Sequence, residues 1–188
     1  GFSTVGWMSR THAPLALLVA LTLALTGCGG VGKGLGKAGP SPAPTAAFAS
    51  EEQALAAAVA VYARSTEIGD DIARAGGIHA ERLEEVATGE FLEVSVEGFN
   101  TYPERGVHQL GFSTFRDPTL QQYGPGPEAA VTIYVCDDVS QVDVVDATGQ
   151  SVVKPDRPDT YYFVVVFDLD RDGSLKISSR QRWDDRTC

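Results

Sequence analysis

The chain has 188 residues, 43% of them hydrophobic and 21% charged, which suits one globular domain with a shorter non-globular remainder. Beyond Ser50 it carries 12 basic residues against all 25 acidic ones, a formal charge of −13. That balance argues against a basic stripe for nucleic-acid phosphates and against docking on anionic headgroups, so no nucleic-acid partner is expected.

Residues 1–27 read as an export signal. Met8 is the only methionine, which makes Gly1 to Trp7 upstream residues. Arg10 supplies positive charge, and Ala13 to Leu25 is an apolar run shorter than the roughly 20 residues a spanning helix needs. Leu25-Thr26-Gly27-Cys28 then has the form of a lipobox, with Cys28 as the residue that takes the acyl chains. A lipid anchor on Cys28 would hold the protein on the extracytoplasmic face of the cell membrane, palmitate being the expected kind of acyl group. Residues 28–50 form a Gly, Pro and Ala-rich linker. Its Gly34-Leu35-Gly36-Lys37-Ala38-Gly39 imitates a dinucleotide fingerprint, but no strand precedes it. No cofactor is expected.

Residues 51–188 form the folded domain. Ser50 and Gln53 make a capping box, and Leu55, Val59 and Tyr62 recur at helical spacing to about Ile68, where Gly69-Asp70-Asp71 offers a break. Residues 79–87 suggest a second helix, and Gly89 to Tyr102 a third, stopped by Pro103 and Gly106. The pattern then changes to strands. Val107 to Arg116 is weak, while in Ala129 to Asp137 the side chains of Val131, Ile133 and Val135 share one face. The run YYFVVVF from Tyr161 is apolar on both faces and suits a central strand. Leu175 to Trp183 completes a hairpin, Leu175 and Ile177 inward and Lys176, Ser178 and Arg180 outward. Helices followed by an antiparallel sheet give an α+β fold.

Once Cys28 is lipidated, Cys136 and Cys188 remain as one pair in an oxidising compartment, a disulfide that requires Asp184 to Thr187 to turn back. Asp168, Asp170 and Asp172 with Gly173 resemble the start of a calcium loop, yet the twelfth position is Ser179 and not a bidentate Glu. A hairpin turn is therefore the favoured reading, with calcium as the alternative. Asp137, Asp138, Asp143 and Asp146 cluster in sequence and could do acid–base chemistry if burial separated their pKa values. His79 and His108 lack metal-ligand spacing.

The order of elements, Glu85-Val86-Ala87-Thr88-Gly89-Glu90, Cys136-x-Asp138-x-Ser140, Val144-Val145-Asp146-x-x-Gly149 and the terminal Cys188 resemble secreted actinobacterial lipoproteins with a nuclear-transport-factor-2-like domain. The chain departs from them at Leu175, where a tryptophan is usual after the Asp-Gly turn. The resemblance implies a cone: a curved antiparallel sheet wrapped by helices around a pocket, which Tyr62, Phe91, Phe99 and Tyr134 could line, although core packing is the favoured reading for these four. It implies no shared reaction. Two functions follow as expectations, with a calcium-steadied surface scaffold as a third reading. The first is a tethered, non-enzymatic module binding a small apolar ligand or an envelope protein partner. The alternative is a cone-fold isomerase or dehydratase using a pocket carboxylate.

Overall fold

The computed structural model describes residues 47–188. The expected export signal, Cys28 and most of the expected linker lie outside the described residues. The packed domain begins slightly ahead of residue 51, since Phe48 already rests against the core.

Helix α1 spans Glu51–Arg74. Its start follows the capping logic: Ser50 Oγ accepts from Gln53 N at 3.2 Å, and Gln53 Oε1 accepts from Ala49 N at 2.7 Å. The expected break near Gly69 does not occur. A glycine costs a helix interior about 1 kcal/mol, but here Ile68, Ile72 and Ala73 are buried, and that burial outweighs it. Asp70, which could have capped a turn, is instead bound by residues from the sheet side. The second expected helix is a single 3₁₀ segment, Ala80–Glu85, entered through His79 in the left-handed region. Helix α2 spans Gly89–Arg105 and runs past the expected stop. Pro103 sits inside its final turn, and the helix ends at Gly106 with φ +61°.

The expected strand over 107–116 is two strands in different sheets. β1, His108–Leu110, pairs antiparallel with β4, Asp143–Val145. β2, Thr114–Tyr123, joins β3, Val131–Asp138, β5, Thr160–Leu169, and β6, Leu175–Arg182, in one antiparallel sheet of order β2-β3-β5-β6. β5 is thus an inner strand, as its two apolar faces require. β2 is an edge strand with two register shifts, and Asp117 (φ +55°) and Pro118 occupy the first of them.

Ala54, Ala58 and Tyr62 of α1 pack on Val131, Ile133, Val135, Val165, Phe167 and Ile177 of the sheet's inner face. A second cluster joins Ile68 and Ile72 to Ala80, Leu83, Val86 and Ala87, with Phe91, Leu92, Val96 and Phe99 of α2 against it. No side chain of α2 is fully buried. The helix is fastened at its two ends. At the first, Ile177 N donates to Val86 O and Thr88 N to Ile177 O. At the second, Gly77 (φ +87°) lies so close that a Cβ there would stand 2.1 Å from Phe99 O. The fold is therefore α+β, with helices preceding an open antiparallel sheet.

Cys136 points to the outer face of the sheet. After β6 the chain turns back across that face, Trp183 N donating to Tyr162 O, and brings Cys188 to Cys136 with Cα atoms 5.7 Å apart and the sulfurs bonded. Tyr134 also faces outward, where it packs on Tyr162 and Trp183. It does not line an interior pocket with Tyr62, because alternate residues of β3 face opposite sides.

Candidate functional site

One register shift in β6 sets up the interior chemistry. Val166 pairs with Ser179, but Phe167 pairs with Ile177, so Ser178 is an extra residue. Strict alternation from Ile177 would turn Arg180 outward, as expected from sequence. The bulge restores Arg180 to the face of Ile177, opposite Val165 and toward the helices.

There Arg180 meets Asp137, the last member of the inward row Val131, Ile133, Val135 on β3. Arg180 Nη2 donates to Asp137 Oδ2, and Tyr62 Oη donates to Asp137 Oδ1 at 2.7 Å. The Asp137 side chain is 13% exposed and that of Arg180 29%. The guanidinium lies 3.7 Å from the Phe163 ring centroid, and Tyr62 meets Phe115 edge-on at 5.1 Å. Burial pushes the Asp137 carboxyl above its ordinary range, against the opposing pull of Arg180 and of the Tyr62 hydroxyl. Burial likewise pushes the Tyr62 phenol far up, so it stays a proton donor at any physiological pH.

These three residues lie in the wall of a cleft between α1, α2 and the sheet, with a volume of about 280 Å³. From α2 the residues Phe91, Ser95, Phe99 and Tyr102 line it at helical spacing, and from α1 Ser65, Thr66 and Gly69 do so. A second buried carboxylate, Asp70, belongs to the same lining. It accepts from Gln109 Nε2 at 2.7 Å, Ser113 N at 2.9 Å and Ser113 Oγ at 2.9 Å. Those bonds tie α1 to β1 and to the start of β2, and leave Asp70 fully engaged. A roomier, more open groove of about 510 Å³ lies along Val144, Val152, Val153 and Tyr161, and Tyr102 lines both. Arg157 of that groove is committed to the carbonyls of Val139 and Val142.

The four clustered aspartates do not converge. Only Asp137 enters the cleft. Asp138 accepts from Ser140 N, Asp143 from Ser151 Oγ, and Asp146 closes its turn with Thr148 and Gln150. The aspartates of the β5–β6 turn are divided as well. Asp168 accepts from Ala129 N at 2.7 Å, Asp170 pairs with Lys176 Nζ at 2.9 Å, and Asp172 accepts from Ser174 N and Oγ. Asp170 N to Ser174 O and Gly173 N to Asp170 O close a hairpin turn, with Gly173 at φ +82°. Among the described residues no group of three or more His, Cys, Asp or Glu side chains is arranged to hold a metal ion. His79 is exposed beside Glu81, and His108 begins β1.

Of the four aromatics weighed between core and pocket, Tyr62, Phe91 and Phe99 pack with the core, the favoured reading, and also border the cleft. Sequence reading missed Arg180, because a bulge has no signature in periodicity. It also missed Asp70, Gln109 and Ser113, which meet only through tertiary contact. One signal was present: an aspartate ending the inward apolar row of β3 needs a buried partner.

No family model matches the chain, and no curated protein matches it in sequence. Solved structures similar to it include the intermembrane-space region of the chloroplast protein ARC6, 15% identical with a TM-score of 0.49 over 66% of this chain and 92% of that one. Aln2 from a Streptomyces species is 20% identical with a TM-score of 0.45, over 72% of this chain and 93% of that one. A Catenulispora acidiphila protein in complex with S-DNPA is 18% identical with a TM-score of 0.44, over 68% and 90%. The last two are actinobacterial.

Proposed function

We propose that the protein is a membrane-anchored extracytoplasmic lipoprotein whose domain, a cone of the nuclear-transport-factor-2-like kind, binds a small molecule in the cleft between α1, α2 and the sheet. The observation that carries the binding reading is the bulge at Ser178, which turns a charged residue to the helix-covered face of the sheet to meet Asp137 and Tyr62. Structural cores seldom place an arginine inside without need, and bulges are over-represented where a side chain must be re-aimed beside a functional site. Phe91, Phe99 and Tyr102 would hold an apolar body while the polar triad fixes one head group. Binding of an envelope protein on the outer surface has no comparable arrangement behind it.

The anchor rests on the lipobox at Cys28. Acyl labelling of the exported protein is expected to vanish in Cys28→Ala, with the domain released from the membrane; unchanged membrane association would overturn the assignment. Native mass spectrometry of protein purified from its own envelope is expected to show a retained small molecule, lost in Arg180→Met. A mass that matches the bare chain in both would overturn the binding reading.

The enzyme alternative has one observation behind it, the upward push of burial on Asp137. Both of its oxygens are engaged, so it would act as a base only after releasing Tyr62 or Arg180. Incorporation of deuterium at carbon into a retained ligand, abolished in Asp137→Asn, would mark catalysis. A ligand that keeps its carbon-bound hydrogens leaves the domain a binder.

A further inference from the structure

The charge balance of the cleft narrows what it can hold, given the binding reading above. Its charged lining consists of Asp70, Asp137 and Arg180. Arg180 is neutralised by Asp137, and Asp70 leaves a net charge of −1. A carboxylate or phosphate entering here would lose its hydration beside that negative lining. It would find the one cation already paired, an arrangement that penalises a buried anion heavily. A cation would have to share carboxylate oxygens that each already accept a hydrogen bond. Tyr62 and Arg180 hold those of Asp137, and Gln109 and Ser113 those of Asp70.

What remains uncommitted is donor capacity. Arg180 Nε is buried and has no acceptor, although Nη2 of the same guanidinium is bonded to Asp137. A buried N–H without an acceptor is costly, and a rearranged guanidinium contacting a ligand oxygen would relieve it. The hydroxyls of Ser65 and Ser95 line the same space. Phe91, Phe99 and Tyr102 line the same cleft. We infer that the cleft selects a neutral molecule with an acceptor oxygen and a flat apolar body, and that Asp137 acts as a selectivity device by cancelling the charge that would otherwise draw anions to Arg180.

An isosteric pair of probes tests this on the full chain purified from its envelope: 4-ethylacetophenone, which is neutral, and 4-ethylbenzoate, which is an anion at pH 7. The ketone is expected to bind about tenfold or more tightly than the benzoate, the effect of one hydrogen bond from a charged donor set against the repulsion. Asp137→Asn frees the charge of Arg180 and is expected to reverse the preference toward the benzoate, which a merely structural role for Asp137 would not do. Arg180→Met is expected to weaken the ketone by about tenfold. Benzoate binding as well as the ketone to the unaltered protein, or an unreversed preference in a folded Asp137→Asn, would overturn the inference while leaving the cleft a ligand site. Failure of both probes to bind would overturn the inference and the binding reading together.

Discussion

Asp137 and Arg180 depend on each other unequally. Removing Arg180 leaves a mostly buried carboxylate facing only a tyrosine hydroxyl, and breaking such a pair costs about 3–5 kcal/mol when it is fully buried. The partial exposure of Arg180 discounts that figure, so Arg180→Ala is expected to cost about 2–3 kcal/mol in denaturant unfolding. Tyr62→Phe removes one donor and keeps the ring against Phe115, so about 1–2 kcal/mol is expected. The order of the two variants is the sharper check, and a larger loss for Tyr62→Phe would contradict the geometry. The pH dependence has a definite sign. The carboxyl of Asp137 is held above its unfolded value, so the stability it contributes is present below that value and is lost as pH rises through the raised one. Glu85, Asp138, Asp146 and Asp172 are held below theirs by Arg64, Ser140, Thr148 and Ser174, so their contributions are present above the unfolded value and disappear as pH falls. Measured against Asp137→Asn, the native protein is expected to lose relative stability as pH rises above about 4, the ordinary carboxylate value. A flat difference would mean that the pair leaves Asp137 with no net shift.

α2 is the element whose packing differs most from its neighbours. It lines the cleft along one stripe and buries no side chain fully, whereas α1 carries eight buried residues. Amides of α2 are therefore expected to exchange with deuterium sooner than those of α1, β3 and β5, and equal protection would show that its two fastenings suffice. The tighter fastening is Gly77, where Ala would meet Phe99 O in a left-handed backbone. Gly77→Ala is expected to cost at least about 1–3 kcal/mol and to loosen α2 in particular. Elements with a strong, uninterrupted period were legible before any coordinates: α1 from its cap and apolar stripe, β3 from alternation, β5 from its two apolar faces. β2 was not, because Pro118 and two register shifts erase its period. Of the cleft, only the aromatic members Tyr62, Phe91 and Phe99 were legible. Arg180 was not, since one extra residue inverts the two-residue rule for everything beyond it.

At the scale of the molecule, the disulfide closes a loop of 52 residues that takes in β4, β5 and β6. The chain-entropy model gives about 4 kcal/mol for a loop of that length, so Cys188→Ser should lower denaturant stability by an amount of that order, and an unchanged midpoint would show that the tail contributes little to holding the sheet. Calcium is expected to add nothing, because each aspartate of the β5–β6 turn already has a partner. Melting midpoints in calcium and in chelator should coincide; a rise of several degrees with calcium, lost in Asp170→Ala, would restore the metal reading.

The irregular edge of the sheet has a consequence for a domain held at a membrane as proposed above. A lipid anchor would concentrate copies of the domain in two dimensions, where a straight edge strand would invite another copy to add itself as the next strand. β2 offers no such template. Its proline lacks an N–H, Asp117 bends the backbone into the left-handed region, and two register shifts break the row of free donors and acceptors. At the opposite edge, the chain at Val86 to Thr88 already occupies part of β6 through its bonds with Ile177. The β2 border is thereby a poor template and the β6 border is occupied at Ile177, so copies held by the lipid anchor proposed above would be hindered from adding strand by strand into fibres.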